Sequence, residues 1–309
     1  MQYTHMPVML REVIGALNVR KGDFLYIDGT AGLGGHAEAI AELGGQVVCI
    51  DRDGEALAMC EARLKKFGGN VRYIHGNFRD MKRLLANAGV TAADGVLLDL
   101  GVSSMQLDDP ERGFSYRHSV PLDMRMDRSQ GERADRIVNG LSHQELANIL
   151  KLYGEERYAA QIARGIIKAR PIATTGELAE IIAGSMPAKG RAEAQHPARR
   201  TFQAIRIAVN EELEAVEEGV NAALSLLTGR AGRLAVISFH SLEDRIVKQI
   251  FAKAAKGCDC PPSFPACVCG KKPILKLLGR IKPKPDETDS NPRAASAVLR
   301  VAETINSMP

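Results

Sequence analysis

The sequence predicts an α/β protein in which a doubly wound parallel sheet is interrupted by an all-helical insertion. Three observations carry this reading. Four short apolar runs, separated by helical patterns, each end on an acid or an amide; a glycine-rich turn follows the first; and no strand pattern lies between Ser104 and Arg233. Composition agrees, because 309 residues with 45% hydrophobic and 25% charged side chains describe an ordinary globular protein with ample core. No apolar run approaches the roughly 20 residues that span a bilayer, and the first residues lack a signal-like apolar region, so the expected location is the cytoplasm. A net charge of +4 is too mild to announce a nucleic-acid partner by itself.

The first run, Tyr26-Ile27-Asp28, opens into Gly29-Thr30-Ala31-Gly32-Leu33-Gly34-Gly35 and then a helix from about His36 to Leu43. Such glycines let a ligand approach the main chain closely, and the helix aims its free N–H groups and positive dipole end at the gap. Gly32 to Ala37 matches the dinucleotide G-x-G-x-x-G pattern only in part, since Ala stands at its last position. Asp28 tips the balance. A carboxylate just before the glycines repels a pyrophosphate and attracts the ammonium of an amino-acid-bearing cofactor, which favours S-adenosylmethionine over a nicotinamide dinucleotide. An ordinary βα turn without a ligand is the plain alternative.

The next elements strengthen the ligand reading. Gln46 to Ile50 reads as a buried strand ending at Asp51, where a nucleoside ribose presents its hydroxyls to a carboxylate. A helix over 54–67, with Ala56, Leu57, Cys60 and Leu64 on one face, leads to a third strand, Val71 to His75. Asn77 and Phe78 follow, an amide and a ring suited to the edge and face of an adenine. The fourth strand, Asp94 to Leu98, ends at Asp99. Any one of these acids is as readily a helix cap, but polar groups after four successive strands favour a ligand over the carboxyl edge of the sheet.

Beyond Ser104 the alternation stops. The stretches 106–115 and 121–127 are turn-rich and charged, and they read as ordered loops near the site. Helical patterns then run over 142–152, 158–170 and 175–183, with Ser142 and Glu145 spaced as a capping box and Thr175 at the start of the third. A single longer helix is expected from Thr201 to Leu227, because Phe202, Ile205, Val209, Leu213, Val216, Val220 and Leu224 recur at intervals of three and four. Arg199, Arg200 and Arg206 stand near its start, where cations oppose the macrodipole. RNA phosphate and nearby glutamates are equal candidates for their partner.

Arg233 to Phe239 is the fifth strand, and His240 opens the next helix as either a cap or a substrate contact. The last strand is expected at 296–302. Between them, 271–284 carries six basic residues and no acid, which suits a solvated loop as well as a phosphate contact. Two C-x-C pairs, Cys258 with Cys260 and Cys267 with Cys269, precede it. Four thiolates are able to hold zinc, but the C-x-C spacing in a cytosolic chain favours reduced surface thiols, and no metal is counted in the expected site.

Taken together, 26–36, His75-Gly76-Asn77-Phe78, 97–104, 106–114, 121–127, 200–206, 237–244 and Asn291-Pro292-Arg293 resemble the bacterial small-subunit ribosomal RNA cytosine-N4 methyltransferases, the RsmH/MraW family. The resemblance runs nearly end to end. It implies a Rossmann-like class I methyltransferase sheet over 1–108 and 207–309, a helical substrate-recognition domain over 109–206, and S-adenosylmethionine as cofactor. It implies methylation of the exocyclic N4 amine of one cytidine near the decoding centre, with small-subunit RNA or the 30S particle as partner, and cofactor contacts at Gly34, Gly35, His36, Asp51, Phe78, Asp99 and Gln106. The cysteine cluster is not shared by every member.

Cytosine N4 is a poor nucleophile because its lone pair is delocalised into the ring. An enzyme helps by accepting a hydrogen bond from the amine as it pyramidalises and by holding N4, methyl and sulfur in line. Asp99 is the expected catalytic acceptor, although Asp99-Leu100-Gly101-Val102 departs from the Asp/Asn/Ser-Pro-Pro-aromatic motif of many amino-methyltransferases, so it fits cofactor, base or both. Methylation at C5 would require a cysteine nucleophile, and neither the fourth nor the fifth strand end offers one. The base must be unstacked to react, and His5, Phe114 and His240 are candidates to hold it, with Arg206 and Arg293 as substrate-side cations. A non-catalytic RNA-binding assembly factor and a small-molecule methyltransferase are the alternatives. The intact Asp28, Asp51 and Asp99 weigh against the first, and the large insertion with its arginines weighs against the second.

Overall fold

Seven strands build one sheet in the computed structural model, which describes residues 7–191, 196–227, 229, 231–258, 260, 261, 264–266 and 268–305. They are β1 (Leu25–Asp28), β2 (Gln46–Asp51), β3 (Val71–His75), β4 (Gly95–Asp99), β5 (Arg233–Ser238), β6 (Leu275–Ile281) and β7 (Val298–Thr304), in the order β3-β2-β1-β4-β5-β7-β6. The first five are parallel, whereas β7 runs antiparallel to both β5 and β6. A parallel sheet that reverses strand order beside its first strand, with one antiparallel strand near the edge, is the class I methyltransferase arrangement. Its ligand crevice lies at the carboxyl ends of β1 and β4, where the order switches.

The chain divides into two compact units, one of residues 1–101 with 213–309 and one of 102–212. In the first, α1 (Leu10–Leu17) precedes β1, and α2 (Gly35–Glu42), α3 (Gly54–Leu64) and α4 (Met81–Asn87) connect the early strands. Successive strand residues face opposite ways, so Tyr26, Val47, Cys49 and Leu97 pack with Leu17, Ile40, Leu57 and Leu64 on one side. Ile27, Val48, Ile50, Val96 and Leu98 pack on the other with Leu85 and Val220. Both faces are covered, and this explains why these strands read as continuous apolar runs rather than alternating ones.

The second unit is helical. It comprises α5 (Ser104–Asp108), α6 (Ala134–Gly140), α7 (His143–Gly154), α8 (Ala159–Ala169), α9 (Thr175–Ser185), α10 (Ala188–Arg191) and α11 (Arg199–Asn210), around a core that includes Leu146, Leu150, Ile162, Ile166, Leu178, Ile182, Phe202 and Ile205. Ser142 and Glu145 form the expected reciprocal capping box of α7. The 121–127 loop is ordered by buried polar groups. The Arg112 guanidinium, almost wholly buried, donates to the carbonyls of Arg125 and Met126 at 3.2 and 2.8 Å. Asn210, at the end of α11, accepts from Met126 N–H and donates to the Met124 carbonyl.

Several expectations are corrected. The single helix over 201–227 is two, α11 and α12 (Glu212–Leu226), because Glu211 adopts the left-handed conformation at φ 50°. The apolar stripe therefore serves two cores: Phe202 and Ile205 belong to the helical one, Val216, Val220 and Leu224 to the sheet. The start of α9 at Thr175 agrees with expectation; its cap is Thr174, whose side chain accepts from Glu177 N–H, while Thr175 is buried and donates to the His118 carbonyl. The basic stretch 271–284 contains β6. After β5, α13 (Ser241–Ala255) precedes that strand, and α14 (Pro285–Ser290) and a 3₁₀ turn at 292–296 follow it, so the last strand begins at Val298 rather than residue 296. Among the described residues no helix is long and apolar enough to cross a membrane.

Candidate active site

The β1 turn is shaped by packing on one side and left open on another. Gly34 has φ 79°, and a Cβ there would lie 2.7 Å from Cys60 Sγ; a Cβ on Gly35 would run into the Pro7 ring. Gly32, at φ 51°, faces no atom within 4 Å. Hydrogen bonds fix the loop to the neighbouring strands: Gly29 N–H donates to Leu97 O, Ala31 N–H to Ile50 O, and Asp99 N–H to Thr30 Oγ1 at 2.6 Å. Thr30 thus ties the turn to the end of β4.

Three carboxyl groups converge at the strand ends. Asp51 accepts from Gly32 N–H at 2.6 Å and Asp53 N–H at 2.8 Å, one bond to each oxygen. Asp28 accepts from Thr30 N–H through Oδ1, whereas its Oδ2 and Asp99 Oδ1 are buried with no hydrogen-bond partner among the described residues. Burial, and then the charge of Asp51, push Asp28 up from 3.8 to about 7 against the pull of Thr30 N–H. Burial also raises Asp51 to about 6, opposed by the N–H groups of Asp53 and Gly32. Asp99 is held well above the usual carboxylate range, chiefly by burial and further by the charges of Asp28 and Glu243. Two orphaned buried oxygens beside an open glycine make a cationic ligand electrostatically favourable here.

Thr30 and Glu243 are site neighbours that the sequence did not single out. Glu243 is buried and accepts through Oε2 from the N–H groups of Phe239 and His240. With His240 it forms the capping box of α13, so only the local half of its role was readable from spacing.

The remaining expected residues have defined surroundings. The His36 ring is buried with Nε2 3.0 Å from the Val8 carbonyl, so it anchors the N-terminal segment. Phe78 packs beside Gly29 and against Gly219, partly within the sheet core. His240 accepts from Glu243 N–H as the α13 cap, in agreement with the plainer of its two readings. Arg293 is exposed, and its N–H donates to Asn291 Oδ1. In the helical unit, Gln106 is buried and its Oε1 accepts from Ser103 N–H, completing the cap of α5. Phe114 is buried in the helical core. Arg206 makes a bidentate pair with Glu212 at 2.8 Å, a glutamate being one of its two candidate partners. His5 lies outside the described residues.

Comparison with known proteins adds a family. Residues 2–305 match the family described as the MraW methylase family. The chain is 52% identical to the ribosomal RNA small subunit methyltransferase H of Trichlorobacter lovleyi, over 98% of this chain and 99% of that protein. It is 52% identical to the protein of the same name from Citrifermentans bemidjiense, over 98% and 99% of the two chains. The counterpart from Halothermothrix orenii is 50% identical, over 97% and 98%.

Proposed function

Because the chain belongs to the MraW methylase family, we propose that it is an S-adenosylmethionine-dependent methyltransferase of small-subunit ribosomal RNA. Its target in this reading is the exocyclic N4 amine of one cytidine near the decoding centre, and it works in the cytoplasm on the RNA or the 30S particle. The observation that carries it is the row of carboxyl groups at the ends of β1, β2 and β4, with Asp28 buried and Asp51 and Asp99 half-buried, two of them with a buried oxygen lacking a partner among the described residues.

The donor set fits the cofactor. Asp28 is placed to hold an ammonium, and its orphaned Oδ2 is the acceptor that such a group requires. Each Asp51 oxygen accepts one backbone N–H and keeps a second lone pair, enough to receive ribose hydroxyls. Gly34, Gly35 and His36 shape the turn from behind, Phe78 flanks it, and Gln106 holds the loop that follows Asp99. The cofactor supplies an electrophilic methyl group on a sulfonium.

Asp99 then does the protein's share of the chemistry. As a carboxylate it accepts a hydrogen bond from the cytosine amine, steering the nitrogen lone pair out of conjugation, and it takes up the proton that N4 must lose. A carboxyl whose proton affinity is raised by burial is a stronger base for that proton than an exposed aspartate. The helical unit serves as the substrate-recognition domain, with Phe114 and Arg206 supporting its fold, while His240 and Arg293 remain the substrate-side residues of the sheet unit.

The test is methyl transfer from labelled S-adenosylmethionine to small subunits, or their RNA, from cells lacking this chain. The expected product is N4-methylated cytidine at one position. Labelling of a metabolite pool with none in the subunits would overturn the proposal, and label at C5 would overturn the role given to Asp99.

A further inference from the structure

Among its described residues, the segment between α13 and β6 has little apolar packing to hold it. Its ends are joined where Ile274 N–H donates to the Ala254 carbonyl at 3.0 Å and where Gly257 abuts Pro273. Inside, the large apolar side chains Phe264 and Val268 are 50% and 75% exposed, so they supply no core. A connection longer than about 12–15 residues without secondary structure is uncommon unless something fastens it.

Three thiols meet in that segment. The Sγ atoms of Cys258, Cys260 and Cys269 all lie within 4.8 Å of one another, and Cys258 and Cys269 are 3.7 Å apart. That distance is far beyond a disulfide bond. It matches the edge of a tetrahedron: with a Zn–S bond of about 2.3 Å, two sulfurs on one zinc stand about 3.8 Å apart. Backbone N–H groups also point at the sulfurs, Cys260 N–H at Cys258 Sγ (3.3 Å) and Val268 N–H at Cys260 Sγ (3.4 Å). Donors of this kind stabilise thiolates and orient them toward a cation. Cys267 lies outside the described residues, and the inference rests on the other three.

From this convergence of thiols and N–H donors we propose that Cys258, Cys260 and Cys269 bind a structural zinc ion that fastens the loop between α13 and β6. An all-sulfur set selects zinc over the harder divalent ions, and zinc brings no redox chemistry. Binding displaces the thiol protons, and the ion cross-links the loop. It thereby fixes the approach to β6 and the six cations of 271–284. The reading reverses the sequence expectation of unliganded surface thiols, because C-x-C spacing alone does not reveal that residues 258 and 269 meet.

The full-length protein, purified without chelator and dialysed, is expected to retain about one zinc per chain by elemental mass spectrometry. Cobalt added to stripped protein should develop thiolate-to-metal charge-transfer absorption. Cys258→Ser and Cys269→Ser should each lower metal content by more than about tenfold, while Cys60→Ala, on the far side of the sheet unit's core, should leave it unchanged. Far-ultraviolet circular dichroism reports whether each variant is folded. Wild-type protein that takes up neither metal overturns the proposal, as does a Cys258→Ser/Cys269→Ser variant that keeps its zinc.

Discussion

Replacing Asp28 by Asn tests whether a carboxylate is buried at the end of β1 at a cost to stability. Asp28 keeps its proton in the folded protein up to about pH 7 and loses it near 3.8 when unfolded. The folded state therefore binds more protons across that window, and stability falls as pH rises through it. At about 1.4 kcal/mol per pH unit, the full penalty above pH 7 is about 4 kcal/mol, of which about 3 develops between pH 5 and pH 8. Asn is neutral at every pH, and its Oδ1 still accepts the Thr30 N–H. Its Nδ2 inherits the orphaned position of Oδ2, an amide cost of about 1–3 kcal/mol that does not vary with pH. Urea unfolding of the cofactor-free protein should show Asp28→Asn gaining about 3 kcal/mol relative to wild type between pH 5 and pH 8. Calorimetric titration should show the same variant losing affinity for S-adenosylmethionine. A stability difference that stays constant across these pH values would refute the reasoning.

Asp99→Asn should fold normally and lose at least about a hundredfold in single-turnover methyl transfer, and the wild-type rate should climb with pH as Asp99 loses its proton; full activity of the variant would remove Asp99 from the mechanism. Gly34→Ala should cost about 2–4 kcal/mol in thermal or urea unfolding, combining left-handed strain with overlap on Cys60. Gly32→Ala meets only the strain, about 1 kcal/mol, and its main effect should be on cofactor affinity; equal destabilisation by the two would contradict the open face assigned to Gly32. Arg206→Ala leaves Glu212, 6% exposed, without its bidentate partner, a loss of about 3–5 kcal/mol that Arg206→Met with Glu212→Leu should largely restore. No difference in stability between the single and double variants would count against that pair as a buried support.

The parallel strands were legible because both faces of the sheet are covered, which leaves uniform apolar runs, and each ends on a polar residue at the same edge. Strand β6 was not, since only Leu275 in it is buried and the rest is an exposed edge rich in cations. Edge strands need little apolar pattern, and charge there discourages pairing with other chains. The break between α11 and α12 escaped notice for another reason: the helical period continues across it, and Glu211 is not a residue type that signals a left-handed turn. In the candidate site the acids could be read one at a time from their strands. Their mutual approach, the Thr30 tie to Asp99 and the presence of Glu243 depend on strand order, which juxtaposes residues far apart in sequence.

Strand β7 lies between β5 and β6, although it is the last of the seven to be encoded. A chain emerging from the ribosome can fold its helical middle early, because contacts there are short-range. It cannot give β6 a neighbour until 298–304 have been translated. Completion of the sheet is thus a late event in biosynthesis, and until then the inner edge of β5 is an open template for mispairing. A ribosome stalled shortly before residue 298 would hold a methylase domain with every strand-end carboxylate already made and its sheet still unfinished.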